Sequence, residues 1–462
     1  MSAVSSATTL ALTIEMPPLE VSSSWGSFES LVVQMAKDLP RQALAEALDE
    51  AQERLIDSVC GPRWAPVRGL PAPFACPGCQ VQEDFVRKGK RTRPRVLHTA
   101  AGRVEIVLWH VGCRGCKKVF APLLLMLGLA GKRRTDRLTV DLAELGTQMS
   151  FARAARLDAQ LAGTNATAGQ AHGALADVAA ILTGPAGLDD APGTLGAAHP
   201  SPDVVLLDGT GVRAGKSKNG CGAYLAIGLT GRSGPAGRRR ARSHLLGLTV
   251  GEDWSVLGAQ LKHWKAPKLV VLDGEVSITT LAERLWPDTA IQRCWWHLPH
   301  GLRKAFYADD AANRHVNPRW AREKSKALGE LLREQIRHER TIDEALVAYD
   351  AFVAEIPATL LSAHAYLAGA RPHTFTCLDP ALRRQLAHLG GPELGTGVLE
   401  RLMRELNART DIGGSRWSIN GLRDLLTVQT ARLLGHPAWT ELHRSTHRPN
   451  TIKFRLQKFN AA

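Results

Sequence analysis

The stretch "DVVLLDGTGVRAG" (residues 203–215) decides how the second half of this chain folds. Four apolar residues, Val204 to Leu207, deliver an acid, Asp208, which Gly209 and Thr210 follow. "KLVVLDG" (268–274) repeats the design and delivers Asp273. Short apolar runs bounded by glycine are buried strand signals. Between the two lie further β-like runs, "GAYLAIGLTG" (222–231) and "SHLLGLTV" (243–250), and the helix-like "SVLGAQLKHW" (255–264). After Asp273 come the helix-like "ITTLAERLW" (278–286) and a last strand, "AIQRCWW" (290–296). The predicted order is β-β-β-α-β-α-β-α.

Three meander strands followed by parallel additions with intervening helices predict an α/β sheet of ribonuclease H type. In that arrangement the strands carrying Asp208 and Asp273 are neighbours, so their carboxylates converge. Such a pair repels unless divalent cations sit between them. Two metals held in this way serve phosphoryl transfer. Each Asp-Gly taken singly is equally a common turn. A third acid is expected from a late helix, "GTGVLERLMRELNARTDIGGSRWS" (395–418), which offers Glu400 and Glu405. They stand five residues apart, so one helix face cannot present both equally. The plain alternative is two solvated glutamates paired with nearby arginines.

The 462-residue chain has room for several domains, and its formal charge of +14 points to a polyanionic partner. No apolar run reaches the ~18 residues of a membrane span, and the first residues lack the positive start of a signal peptide. A cytoplasmic, bacterial protein is expected. Residues 1–24 read as loose, and 27–58 as one or two helices divided at Pro40. "CPGC" (76–79) and "CRGC" (113–116) are paired knuckles whose glycines allow tight turns. Cys76, Cys79, Cys113 and Cys116 make a four-thiolate set for a structural Zn2+ in a zinc ribbon. Arg91 and Arg93 lie in the basic run between them, placed either to contact phosphate or simply to be solvated. Residues 149–179 hold two amphipathic stretches about "GTNAT", with Gly163 suited to end the first and Thr164, Asn165 or Thr167 to cap the second. This is a helix-turn-helix candidate, or a plain helical hairpin. Further basic candidates for a DNA path are Lys216 and Lys218, Arg238, Arg239 and Arg240, and Arg416 with Trp417, the latter stacking on a base or buried in the core. The predicted boundaries are 1–66 (helical, loose start), 67–130 (zinc ribbon), 131–182 (helix-turn-helix), 183–202 (linker), 203–300 (first part of the core), 301–393 (all-helical insertion), 394–436 (last core helix with the third acid) and 437–462 (basic tail).

"VLERLMRELNARTDIGG" (398–414) resembles the run around the last catalytic acid of mutator-type bacterial insertion-sequence transposases. "QRCWWHLPHGLRK" (292–304) is similar to their Gln-Arg-Cys-x-x-His element. The resemblance spans roughly 203–435 and implies a DDE transposase with a ribonuclease H-like core, two Mg2+ or Mn2+ ions and a helical insertion before the last acid. It makes Asp208, Asp273 and Glu400 the metal ligands and catalytic acids, and His297 a polar group beside them. Met403 stands where the family has Asn, and "GGSRWS" (413–418) replaces its usual Phe-Pro-Asn-like ending, which marks a divergent branch. The implied partners are double-stranded DNA, as element ends and target, and at least one further copy of the chain on DNA. The alternatives are a nuclease that cuts without joining, and an inert DNA-binding regulator.

Overall fold

The computed structural model describes residues 25–183, 201–212, 220–233, 240–313, 316–390, 397–412 and 416–447. The chain is a multidomain α/β protein with several sheets. It divides into two compact units, Met1–Asp177 with Arg444–Ala462, and Val178–His443. No helix among the described residues is long and apolar enough to cross a membrane.

The first unit opens with one long helix, α1 (Trp25–Cys60), which continues past Pro40. The expected break is absent because Pro40 is exposed. The helix bond that proline forfeits lies on the wet side, where water can take the freed carbonyl. Strands β1 (Phe85–Lys90), β4 (Trp109–Cys113) and β5 (Val119–Phe120) form one antiparallel sheet, and β2 (Arg95–Thr99) pairs with β3 (Gly102–Ile106). Gln52, buried on α1, fastens the helix to the ribbon: its amide donates to the Val107 carbonyl (2.9 Å) and accepts from the Trp109 N–H (3.0 Å). Phe74, Phe85 and Phe120 pack as a ring trio with centroids 5.1–5.8 Å apart.

After the short α2 (Pro122–Met126) come α3 (Asp136–Gln148), α4 (Phe151–Ala162) and α5 (Ala168–Leu182). Thr135 caps α3 and Ser150 caps α4. Gly163 ends α4 at φ +68°, as its position suggested, because a side chain there would strain the left-handed backbone. Of the three candidate caps for α5 the structure uses Thr167: its hydroxyl accepts from the Gln170 N–H (3.2 Å), and the Gln170 side chain accepts from the Thr167 N–H (2.8 Å). The expected linker falls mostly on residues 184–200, outside the described residues.

In the second unit, β6 (Val204–Val212), β7 (Cys221–Ser233), β8 (Arg240–Val250), β9 (Leu269–Leu272) and β10 (Ala290–Arg293) form one sheet in the order β10-β9-β6-β7-β8. β7 is antiparallel to both neighbours, whereas β6, β9 and β10 are parallel. Helices α6 (Trp254–Leu261) and α7 (Val276–Leu285) cover one face through Val205, Leu207, Leu257 and Leu281. Period-two alternation turns Val204, Leu206 and Asp208 to the other face. α8 (His297–Asn313), α9 (Pro318–Arg337), α10 (Ile342–Ala354) and α11 (Leu361–Thr374) build a separate helical core around Phe306, Leu328, Tyr349 and Leu367. Then follow α12 (Pro380–Gln385), α13 (Gly397–Thr410), α14 (Ile419–Leu434) and α15 (Pro437–His447). Residues 437–447, expected to start a basic tail, are thus helical, and His447 pairs with Asp141 at 2.7 Å.

Candidate active site

The register of the parallel pair aligns Leu207 of β6 with Leu272 of β9. One residue further, Asp208 and Asp273 stand side by side: Asp273 follows the end of β9, whereas Asp208, expected to end its strand, lies in the middle of β6, which stays paired with β7 as far as Val212. Asp208 is 3 % exposed. Its carboxylate accepts from its own next N–H, Gly209, at 2.8 Å. Asp273 is half-buried and accepts from the Glu275 N–H at 2.9 Å. The two Asp-Gly glycines are close-approach positions. A Cβ on Gly209 would lie 2.6 Å from the Tyr224 ring, and one on Gly274 (φ +80°) would overlap the Arg293 guanidinium.

The strand expected over 290–296 ends at Arg293, and the chain turns at Cys294 because α8 begins at His297. Facing by strand alternation therefore does not hold beyond Arg293, and each residue of "QRCWWH" takes its own direction. The Gln292 side chain donates to the Thr374 carbonyl (2.8 Å) and accepts from the Cys377 N–H (2.8 Å), which ties the end of the helical insertion to β10. Arg293 lies buried behind Gly274 with its guanidinium 5.1 Å from the Tyr366 ring. Cys294 is fully buried. Trp295 packs on the insertion core and donates to the Thr374 carbonyl (2.6 Å). Trp296, beside it, is 57 % exposed.

His297 reaches the acids from the first turn of α8. Its Nε2 is 2.6 Å from Glu400 Oε1. One ligand atom each from Asp208, Asp273 and His297 lie within 4.8 Å of one another. Burial opposes charge on His297, but the Cys294 and Glu400 side chains and the Asp208 charge outweigh it and lift its pKa to about 10. For Asp208 burial is the main cause of a pKa raised to about 7; the His297 charge lowers it, and Glu400 and Asp273 raise it. The imidazolium thus offsets part of the negative charge gathered there. A buried carboxylate beside two other acids is a donor set that favours a cation. Asp208, Asp273 and His297 form a group that can hold a metal ion.

Glu400 arrives from α13, the helix lying against β6. Seven residues on, and so on the same helix face, Asn407 exchanges hydrogen bonds with Thr210 of β6 at 3.1 and 3.4 Å. This pair fixes the helix against the strand that carries Asp208. Glu405 points to solvent. Met403 is buried on the packed face. The sequence reading missed Asn407, Thr210 and Tyr366, whose polar groups carry no pattern of their own; Gln292 and Arg293 did lie in the quoted motif.

In the first unit Cys76, Cys79, Cys113 and Cys116 converge in a group that can hold a metal ion. Sγ atoms of Cys76 and Cys116, and of Cys79 and Cys113, are 3.5 Å apart. The two knuckles repeat one geometry: Gln80 N–H donates to the Cys76 carbonyl and Lys117 N–H to that of Cys113, each at 3.0 Å, with φ +62° and +67° at the two donors. Desolvation raises the Cys76 pKa, but the Cys79 and Gly78 N–H groups and neighbouring thiols outweigh it and bring it down to about 7. The Lys118 N–H favours the Cys116 thiolate, yet Cys76 and the other thiols push that pKa up to about 11. The quartet cannot ionise in full without a cation among the sulfurs.

Arg91 and Arg93 are exposed and line a cavity of about 900 Å³ with Arg95, Arg103, Arg133 and His98. Burial and the charges of Arg103, Arg134 and Arg133 hold the His98 pKa down, a sign of the positive field there. Arg87 and Lys90 are spent on α1 carboxylates, with Trp109 between them. Arg416 is exposed, whereas Trp417 is buried, the second of the two readings open for it, and the Arg409 guanidinium covers its ring at 4.7 Å. Arg240 opens β8. Lys216, Lys218, Arg238 and Arg239 lie outside the described residues. No family model and no curated protein matches this chain.

Proposed function

We propose that the chain is a DNA transposase of the DDE type, which cuts and joins phosphodiester bonds with divalent metal ions at Asp208, Asp273 and Glu400. The observation that carries this reading is that Asp208 and Asp273 converge with His297 in a group that can hold a metal ion, and that Glu400, from a distant helix, meets the same His297 at 2.6 Å. The strand order β10-β9-β6-β7-β8, with only β7 reversed, supports a ribonuclease H-like core, and the helices between β10 and α13 are its insertion.

A bound pair of Mg2+ or Mn2+ ions supplies activation of the attacking oxygen and stabilisation of the departing one. Asp208, within β6, and Asp273, just past β9, would hold the cations, and Glu400 would complete the set. His297 keeps its Nε2 proton on Glu400 and places positive charge where a phosphate would approach. The cysteine quartet takes a structural Zn2+. α4 and α5 act as a helix-turn-helix that, with Arg91 and Arg93, binds double-stranded element ends. Joining two ends requires at least a dimer on DNA.

The test is strand cleavage and joining by Asp208→Asn, Asp273→Asn and Glu400→Gln with Mg2+ or Mn2+. Each is expected to lose activity by about 100-fold or more, the scale for removing one charge-stabilising group from such a site. Cutting without joining in the parent protein would make it a nuclease. DNA binding with no cutting under any metal would make it a regulator.

A further inference from the structure

A second cavity, of about 700 Å³, opens beside Glu400 within the second unit. Its floor is the start of α8, with Trp296 and His300; one wall is α9, the other α13. Arg322 and Lys326 stand four residues apart on the α9 wall, Glu400 and Arg404 four apart on the α13 wall, so each helix presents one stripe to the groove. Arg322, Lys326 and Arg404 are exposed. The α9 wall is fixed to the floor by the Ser325 hydroxyl, which donates to the Pro299 carbonyl at 2.6 Å.

Trp296 is the unusual residue. It is 57 % exposed, although its neighbour Trp295 found a place in the insertion core. The ring is nonetheless held. His300, one turn on, lies against it with centroids 4.9 Å apart, and its Nδ1 is 2.9 Å from the Trp296 carbonyl. A large flat ring, exposed, pre-positioned and flanked by cations fits a ligand with a π-face and negative charge. One chemistry combines these: an unpaired nucleotide, whose base stacks on tryptophan while arginine and lysine take its phosphates. The cavity is of ligand size, and its end at Glu400 places such a nucleotide next to the reacting phosphate.

We propose that this groove binds one or more unpaired nucleotides of the strand being cut, with Trp296 as the stacking platform and Arg322, Lys326 and Arg404 as phosphate contacts. It rests on the functional reading above for the identity of that strand, not for the recognition chemistry. A duplex keeps its bases stacked on each other, so the groove discriminates single-stranded from double-stranded DNA.

The experiment uses the full chain with Ca2+ in place of Mg2+. Fluorescence anisotropy gives the affinity for a labelled 12-nucleotide single strand and for the blunt duplex of the same sequence. Trp296→Ala should weaken single-strand binding by about 5- to 150-fold, the span measured for loss of one stacked base, and leave duplex binding unchanged. Trp296→Phe should retain most of the affinity. Trp64→Ala, which removes a tryptophan 87 % exposed in the first unit, should change neither. Unchanged single-strand affinity in Trp296→Ala overturns the proposal, as does equal loss on the duplex, or a parent protein that does not bind the single strand; a groove serving a protein partner would give the first result. Metal-dependent nicking by the parent and by Asp208→Asn is measured alongside. Absent nicking with Trp296-dependent strand binding removes the reading of the acids and keeps the groove, whereas the converse removes the groove alone.

Discussion

Asp208 carries a cost that can be measured. Its folded pKa, about 7, lies above the ordinary 3.8. For a raised pKa the protonated form favours folding, so this contribution is complete below about pH 4 and is lost as pH rises through about 7. Asp208→Asn should therefore raise the melting temperature at pH 8 in a chelator, by on the order of a few kcal/mol of stability, and leave it unchanged near pH 4. Equal shifts at both pH values would mean that burial of the charge is not what strains the site. His297 has the same sign in a different window: its contribution is complete below about 6.5 and is lost as pH rises through about 10. Gly274 is as exacting as the acids. Its φ of +80° disfavours any side chain, and Arg293 fills the space a Cβ needs. Gly274→Ala should cost on the order of 1–3 kcal/mol and displace Asp273, read as a lower denaturation midpoint together with weaker Mn2+ binding.

At the scale of elements, α13 matters for where it is held. The Asn407–Thr210 pair lies two helical turns from Glu400 and on the same face. Asn407→Ala removes a hydrogen bond worth about 1 kcal/mol. It should lower cleavage by about 5- to 10-fold with little change in substrate affinity, because Glu400 then samples other positions. A variant that cuts at the parental rate would show that packing alone holds the helix. The ties from Gln292 and Trp295 to Thr374 act likewise on the helices α8 to α11, which leave the sheet after β10 and return beside it.

At the scale of the molecule, the two units call for separate measurements. A strong thiol-accessible chelator should release one zinc ion per chain and melt the ribbon, since metal binding at four thiolates is folding energy for so small a core. The far-UV signal of the second unit should survive, and the released metal is counted with a colorimetric indicator. Retention of the ribbon fold after metal removal would make the quartet dispensable. The arginine-lined cavity sets a salt dependence. If Arg91 and Arg93 contact phosphates, each change to Ala should reduce the slope of log affinity against log salt by about one, without altering sequence preference.

Much of this was legible along the chain. The order of strands and helices from 203 to 296, the two aspartates that follow apolar strand runs, the cysteine knuckles and the glycine that ends α4 are all local signals. Each arises from periodicity, a turn or a spacing of a few residues, and the chain carries such signals without folding. Pro40 misled because a proline on the wet side of a helix frees a carbonyl that water can take, so the helix can continue past it. The exposure of Trp296 and the burial of Trp417 could not be told apart along the chain, because burial of a tryptophan depends on what the rest of the chain brings over it. The contact of Glu400 with His297, the seat of His297 at a helix start, and the bonds from Gln292 to Thr374 and from Asn407 to Thr210 were decided only by tertiary structure. They join positions roughly 80 to 200 residues apart, or settle between faces of one helix. Local sequence determines which elements form; only the packed sheet and its covering helices decide which polar groups meet.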